Sequence, residues 1–239
     1  MAPPPRRPPE PDSAKPRLNR DLVLTTALRL VDSGGLEALS MRRLGQELQC
    51  DPMALYRYAA SRAELLDGVT ELVLDELVID ADTSDWQEQL RRTAHAVRQL
   101  ALQHPNAVPL LVTRPLSTPL GMRPLGMLRP LELILTLLIR TGFTPPDALH
   151  VYRAYYGFLY GHILNELQET VVNPEEEEPL LRLALYRLPP RDFPRLRELA
   201  PVLAEYDGAA ELDAGLDILL SGLAQKLNVA PPPSGGETS

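Results

Sequence analysis

The sequence predicts an all-α fold. Leucine occurs 47 times in 239 residues, and Leu, Ala, Arg and Glu together are the residues of helices. Runs of Val, Ile and aromatic residues are scarce, with aromatics at 5%. Apolar residues recur at three- and four-residue spacing through most of the chain. The length suits one large or two small domains. A hydrophobic content of 44% excludes wholesale disorder. The single cysteine excludes a disulfide framework and a cysteine-rich zinc module. No stretch of about 18 apolar residues exists to cross a membrane. The N-terminus lacks the apolar segment of a signal peptide, so a cytoplasmic protein is expected. Arginine outnumbers lysine 22 to 2, a bias that carries no mechanism by itself.

The elements follow in order. Residues 1–17 hold seven prolines and no hydrophobic period, and read as a flexible arm. Asn19 is a candidate N-cap for a helix over 19–33, with Val23, Ala27, Leu30 and Val31 on one face and Gly34-Gly35 as its stop. Ser40 caps a second helix, 40–49, with Met41, Leu44 and Leu48 on its face. Asp51 and Pro52 suit the N-cap and first position of a short third helix, Pro52 to Tyr58. Ser61 and Glu64 form a capping box for a fourth, expected to run to about Val78.

Ser84 is expected to cap a fifth helix with Trp86, Leu90, Ala94, Val97 and Ala101 along one side, closed by Pro105. A short sixth helix falls within 106–113. A proline-rich loop leads to a seventh with Leu131, Leu135 and Leu138, ended by Gly142. Thr144-Pro145 opens a long eighth helix to about Val171. Asn173–Pro179, with its four glutamates, reads as a solvated loop. A ninth helix is expected over Asp192–Glu205. The last, from about Ala209 to Asn228, has the cleanest apolar stripe. Residues 229–239 read as a disordered tail. These boundaries give an arm (1–17), a head (18–79), a body (80–228) and a tail.

Three short helices, the second and third joined by a tight break, make a helix-turn-helix arrangement, in which the third helix enters the DNA major groove. Net charge first argues against this: it is −8, with a pI of about 5.1. Residues 1–60, however, carry nine basic and seven acidic residues, and residues 61–239 carry fifteen and twenty-five. The acidity belongs to the body. Arg42, Arg43, Arg57 and Arg62, interleaved with Tyr56 and Tyr58, are suitable phosphate donors. An ordinary helical domain with surface arginines remains the plain alternative. Cys50, at the turn, is expected to be a small buried residue.

Residues 18–79 resemble the TetR family of transcriptional repressors. The resemblance is carried by Ala27-Leu28-Arg29-Leu30, Gly34-Gly35-Leu36-Glu37-Ala38-Leu39-Ser40, Arg42-Arg43-Leu44-Gly45, Leu55-Tyr56-Arg57-Tyr58 and Glu64-Leu65-Leu66-Asp67. It implies phosphate contacts at Ser40, Tyr56, Tyr58 and Arg62, and base-edge positions at Arg42, Pro52, Met53 and Ala54. Arg57 could take either role. A bidentate Arg42–guanine contact would contribute about 1–3 kcal/mol of discrimination. Pro52, Met53 and Ala54 offer only apolar contact, so DNA shape should contribute much of the specificity.

Trp86-Gln87, Thr113-Arg114-Pro115, Gly142-Phe143, Ala148-Leu149, Gly215-Leu216, Leu219-Leu220 and Gly222-Leu223 resemble the tetracycline-repressor-like body. This resemblance implies a dimer that binds a small molecule. Its ligand positions fall on Val78, Thr93, Val97, Leu110, Thr113 and Ile134, most of them apolar, and its metal-linked carboxylate falls on Asn165. The expectation is a lipophilic or aromatic effector bound without a metal or other cofactor, with Leu149, Tyr152 and Tyr156 joining the wall. Plain core packing is the alternative for each. Gly157 and Gly161 on the eighth helix, and Gly215, Leu219 and Gly222 on the last, would face a second subunit. The expected partners are therefore double-stranded operator DNA, an effector and a second copy, with no membrane. Two other readings remain open: a helical DNA-binding or interaction dimer without effector, and an all-α enzyme. Against the enzyme, the sequence lacks DDxxD, HExxH and GxSxG motifs.

Overall fold

The computed structural model describes residues 18–112, 119–171 and 184–227, which are helical with no strand among them. The arm, Thr113, the glutamate loop and the tail lie outside the described residues. Helix α1 (Arg20–Gly34) starts where Asn19 Oδ1 accepts from the Leu22 N–H at 2.8 Å. It stops at Gly35, whose φ of 71° suits a residue without a Cβ. A single 3₁₀ turn, Leu36–Ala38, precedes α2 (Met41–Glu47), which is capped by Ser40 Oγ on the Arg43 N–H. α2 is shorter than expected because the chain leaves it through Gln49 at φ 52°.

α3 (Pro52–Leu55) is one turn long, with Asp51 Oδ1 accepting from the Met53 N–H at 2.8 Å. The expected extension to Tyr58 is a series of turns. α4 (Arg62–Leu74) is capped by Ser61 Oγ on the Glu64 N–H. Glu64 reaches back to the Ala60 N–H at 2.7 Å, one residue further than a standard capping box requires. α4 also ends sooner than expected, at Leu74.

In the body, α5 spans Trp86–Gln103 and its cap is Asp85, not Ser84: Asp85 Oδ1 accepts from the Glu88 N–H at 3.0 Å. α6 (Val108–Val112), α7 (Leu125–Arg140) and α8 (Pro145–Val171) follow. The expected ninth helix is instead two five-residue pieces, α9 (Pro194–Glu198) and α10 (Ala200–Ala204). Pro201 is the reason: it has no N–H to continue the ladder, and its ring crowds the carbonyl four residues back. α11 (Gly208–Lys226) starts at Asp207, whose Oδ1 accepts from Ala209 and Ala210.

Two cores result. The head core joins Val23, Ala27 and Val31 of α1 to Leu44, Leu55, Leu65 and Val69, and it also takes Leu100, Ala107, Leu110 and Leu111 from the body. The body core gathers Trp86, Leu90, Val97, Ile134, Leu138, Phe143, Tyr155, Leu159, Leu212 and Leu216. Leu77 packs partly against both. Side chains pin the junction, Arg129 pairing with Asp75 at 3.9 Å among them. Asp32 pairs with His104 Nδ1 at 2.9 Å, and its carbonyl accepts from Asn106 at 2.8 Å. Glu71 on α4 accepts from Arg20 and from the Gly126 N–H at the start of α7.

Candidate DNA interface and effector site

Leu55 is fully buried and fastens α3 to the head core, so the rest of that turn faces outward. Met53 is 70% and Tyr56 46% exposed. Ser40, Arg42, Arg43 and Arg57 are exposed, and Pro52 and Ala54 are half-buried. Eight of the ten expected DNA residues thus lie on α2, α3 and their flanks without engaged side chains, apart from the Ser40 cap. The guanidinium groups of Arg42, Arg43 and Arg57 have no partner among the described residues. Three unpaired cations around an apolar tip suit a polyanion's backbone with a thin base code.

Tyr58 and Arg62 differ from expectation. The Tyr58 hydroxyl donates to the Leu18 carbonyl at 2.7 Å. Arg62 donates from Nε to the Leu39 carbonyl (2.8 Å) and from Nη2 to the Leu36 carbonyl (2.6 Å). Both side chains spend donors on the head's own backbone: Tyr58 ties down the root of α1, and Arg62 holds the 3₁₀ turn. Cys50 is half-buried instead of buried. It lines an outer cavity of about 520 Å³ with Leu18, Leu22, Thr25 and Leu48.

Among the expected effector residues, Val97, Ile134 and Tyr156 are buried in one core with Tyr152 packed against it. Thr93 is buried one turn from Val97, with its hydroxyl donating to the Gln89 carbonyl at 2.9 Å. Two residues are corrected. Val78 is 85% exposed, because α4 ends four residues earlier and its stripe does not continue. Leu110 is buried in the head core, since α6 packs against the head. Leu149 is half-buried and outside the body core cluster.

The sequence reading missed part of an aromatic ladder on α8. Tyr152 and Tyr156 stand 4.6 Å apart, Tyr155 and Tyr156 5.2 Å, and Tyr156 and Tyr160 5.3 Å. Burial raises the ionisation of Tyr155, Tyr156 and Tyr160 well above the usual phenol range, so all three are neutral near pH 7. Trp86 Nε1 is a buried donor with no acceptor among the described residues, beside the Phe143 ring at 5.0 Å. The tyrosines were visible at helical spacing; the orphaned indole N–H depends on packing that no local pattern encodes.

Gly157, Gly161 and Gly215 line one open groove of about 920 Å³ between α8 and α11, with Asn165 and the 78%-exposed Ile218. Gly215 has an intrachain reason as well, because a Cβ there would overlap the Phe158 ring. Leu219 packs partly against its own core, and Gly222 is exposed with open space around it. Asn165 therefore belongs to the groove and not to the aromatic core. Among the described residues, no cluster of three metal-ligating side chains occurs and no helix is long and apolar enough to cross a membrane.

Residues 23–69 match the family described as bacterial regulatory proteins, tetR family, and residues 80–227 match the tetracyclin repressor-like C-terminal domain. An HTH-type transcriptional regulator of Saccharopolyspora erythraea is 28% identical over 91% of this chain and 89% of its own. The class D tetracycline repressor protein of Escherichia coli is 26% identical over 92% of this chain and 96% of its own. The Streptomyces coelicolor TetR family protein ActR, solved with actinorhodin, superposes with a TM-score of 0.70 at 29% identity. The match covers 88% of this chain and 98% of that one. These relatives are regulators of transcription, as the open face of α3 and the helical body suggest. The chain belongs to the TetR family of DNA-binding transcriptional regulators.

Proposed function

We propose that this chain is a homodimeric repressor of the cytoplasm that leaves a palindromic operator when a small lipophilic or aromatic effector binds its body. The observation that carries the reading is the pairing of an outward face of α2, α3 and the following turn, bearing the unpaired arginines, with a body core lined by neutral tyrosines. Arg42, Arg43, Met53, Tyr56 and Arg57 are the operator contacts, with Ser40, Pro52 and Ala54 at the margin. Val97, Ile134, Tyr152 and Tyr156 line the effector site. Trp86 Nε1 suits a carbonyl or hydroxyl of the effector, since an unpaired buried donor costs about 1–3 kcal/mol. One relative is a tetracycline repressor and another was solved with actinorhodin, both consistent with an aromatic effector.

The groove between α8 and α11 receives the second subunit, bringing Gly157, Gly161 and Ile218 against their copies. The effector acts by binding one head spacing better than the other. No tetracycline–magnesium complex is expected, because Asn165 supplies no carboxylate and the core is apolar. The test is operator selection from a random duplex pool, followed by gel shift. Arg42→Ala should weaken binding about 10-fold or more, and actinorhodin-like aromatics should release the DNA. Unchanged affinity in the variant would sink the head assignment. Tight magnesium-dependent tetracycline binding by calorimetry would sink the effector assignment, and failure of every aromatic to release DNA favours a dimer without effector.

A further inference from the structure

We infer that the outer cavity between α1 and the turn joining α2 to α3 is a second small-molecule site. It suits a neutral aromatic molecule with one hydroxyl or carbonyl group, and filling it weakens operator binding. The effect on the operator rests on the head being the DNA-binding part. Three observations carry the inference. The first is the lining. Leu18, Leu22 and Leu48 give this cavity of about 520 Å³ an apolar wall, and its volume falls in the usual range of small-molecule sites. The two charged residues of the lining, Arg29 and Glu47, pair with each other at 3.8 Å, so no unpaired charge calls for an ion.

The second observation is an orphaned hydroxyl. Thr26 lines the cavity at 4% exposure, and its hydroxyl has no hydrogen-bond partner among the described residues. The comparably buried Thr70 and Thr93 donate to the Leu66 and Gln89 carbonyls at 2.8 and 2.9 Å. The Thr26 oxygen is not sealed by protein either, unlike Trp86 Nε1, so it opens onto the cavity. A lone polar group in an apolar wall is what orients a bound small molecule.

The third observation is position. Leu48 and Cys50 belong to the turn that leads into Asp51, the cap of α3. On its other side this turn is packed shut: a Cβ on Gly45 would lie 3.0 Å from the Cys50 carbonyl oxygen and 3.1 Å from the Pro52 ring. Just beyond α3, the Tyr58 hydroxyl donates to the Leu18 carbonyl at 2.7 Å. Both ends of α3 are thus tied to walls of the cavity. A molecule that parts α1 from the turn re-aims α3, and it favours that arrangement by binding it better.

The test uses Cys50, the one cysteine of the chain and a half-buried part of the lining. Its alkylation by iodoacetamide in the full-length protein is followed by mass spectrometry with 2-naphthol, naphthalene or naphthalene-2-sulfonate present. At about ten times its Kd, 2-naphthol should slow the reaction roughly tenfold, because only the empty fraction reacts. Naphthalene, without the hydroxyl, should bind about fivefold more weakly, and the anionic sulfonate should not protect. Thr26→Val loses no bond, so it should melt no lower than the parent and should lose the preference for 2-naphthol. Thr26→Ser should keep it. Operator binding, read by fluorescence anisotropy, should weaken about fivefold with 2-naphthol in the parent and less in Thr26→Val. A Cys50 that does not react in the folded chain would overturn the site, since the cavity is then closed or filled. So would alkylation that ignores 2-naphthol, or equal protection by the three compounds. Protection with no change in operator binding, while Arg42→Ala is impaired, would overturn the coupling and leave the head reading intact. If Arg42→Ala binds normally, the head reading falls, and Cys50 protection still decides the site.

Discussion

Head and body solve opposite problems with the same secondary structure. The head's helices of 15, 7, 4 and 13 residues are mostly too short to persist alone. Each is started by a side chain on its first free N–H groups: Asn19, Ser40, Asp51 and Ser61. Its working groups point outward. The body's main helices run 18, 16, 27 and 19 residues, and its distinctive groups point inward, with Trp86, Phe143 and the tyrosines of α8 in a shared interior. A surface that grips a polyanion is set by short-range capping. An interior that accommodates an effector is set by packing between residues distant in sequence.

The contrast can be broken most strongly at Trp86. Trp86→Ala removes the largest fully buried side chain and should cost about 3–5 kcal/mol in urea denaturation. Operator affinity per folded dimer should be unchanged; a loss under about 1 kcal/mol would mean that this core is loosely packed. High pH should attack the body too, with a smaller effect near the onset. The folded ionisations of Tyr155, Tyr156 and Tyr160 are raised above the unfolded phenol value of about 10. Their stabilisation is therefore complete below pH 10 and declines as pH rises beyond it. A melting temperature that stays flat from pH 9 to 11.5 would contradict this burial. The smallest effect belongs to the head. Asp51→Ala should cost about 1 kcal/mol of stability. Because α3 is a single turn, operator affinity should fall by more than the melting temperature suggests. Equal or greater loss on the stability side would make Asp51 an ordinary cap.

The sequence reading follows the same divide. The Asn19, Ser40, Asp51 and Ser61 caps are legible because a cap acts within three residues of itself. Trp86 and Leu90 are legible from helical spacing. The cap of α5 moved by one residue because Ser84 and Asp85 are both competent, and only the local backbone chooses between them. Leu110 is expected at the effector site and lies in the head core, since its apolar character says that it is buried but not against what. Tyr58 and Arg62 have the residue types of DNA contacts, yet their partners, Leu18, Leu36 and Leu39, lie 23 to 40 positions away. Val78 was misplaced because a periodic stripe does not mark where a helix frays, and α4 frays at Leu74.

Leu100, Ala107, Leu110 and Leu111 complete the head core from the far side of the nominal boundary. A chimaera spliced at residues 79 and 80 would transplant a head without the apolar lid that covers α1 and α4. Grafting a new operator specificity onto another body therefore calls for moving two separate stretches together, the first eighty residues and the strip from 100 to 111, or for matching the recipient's strip to the incoming α1. Specificity in this chain is portable only with part of the domain that it is meant to leave behind.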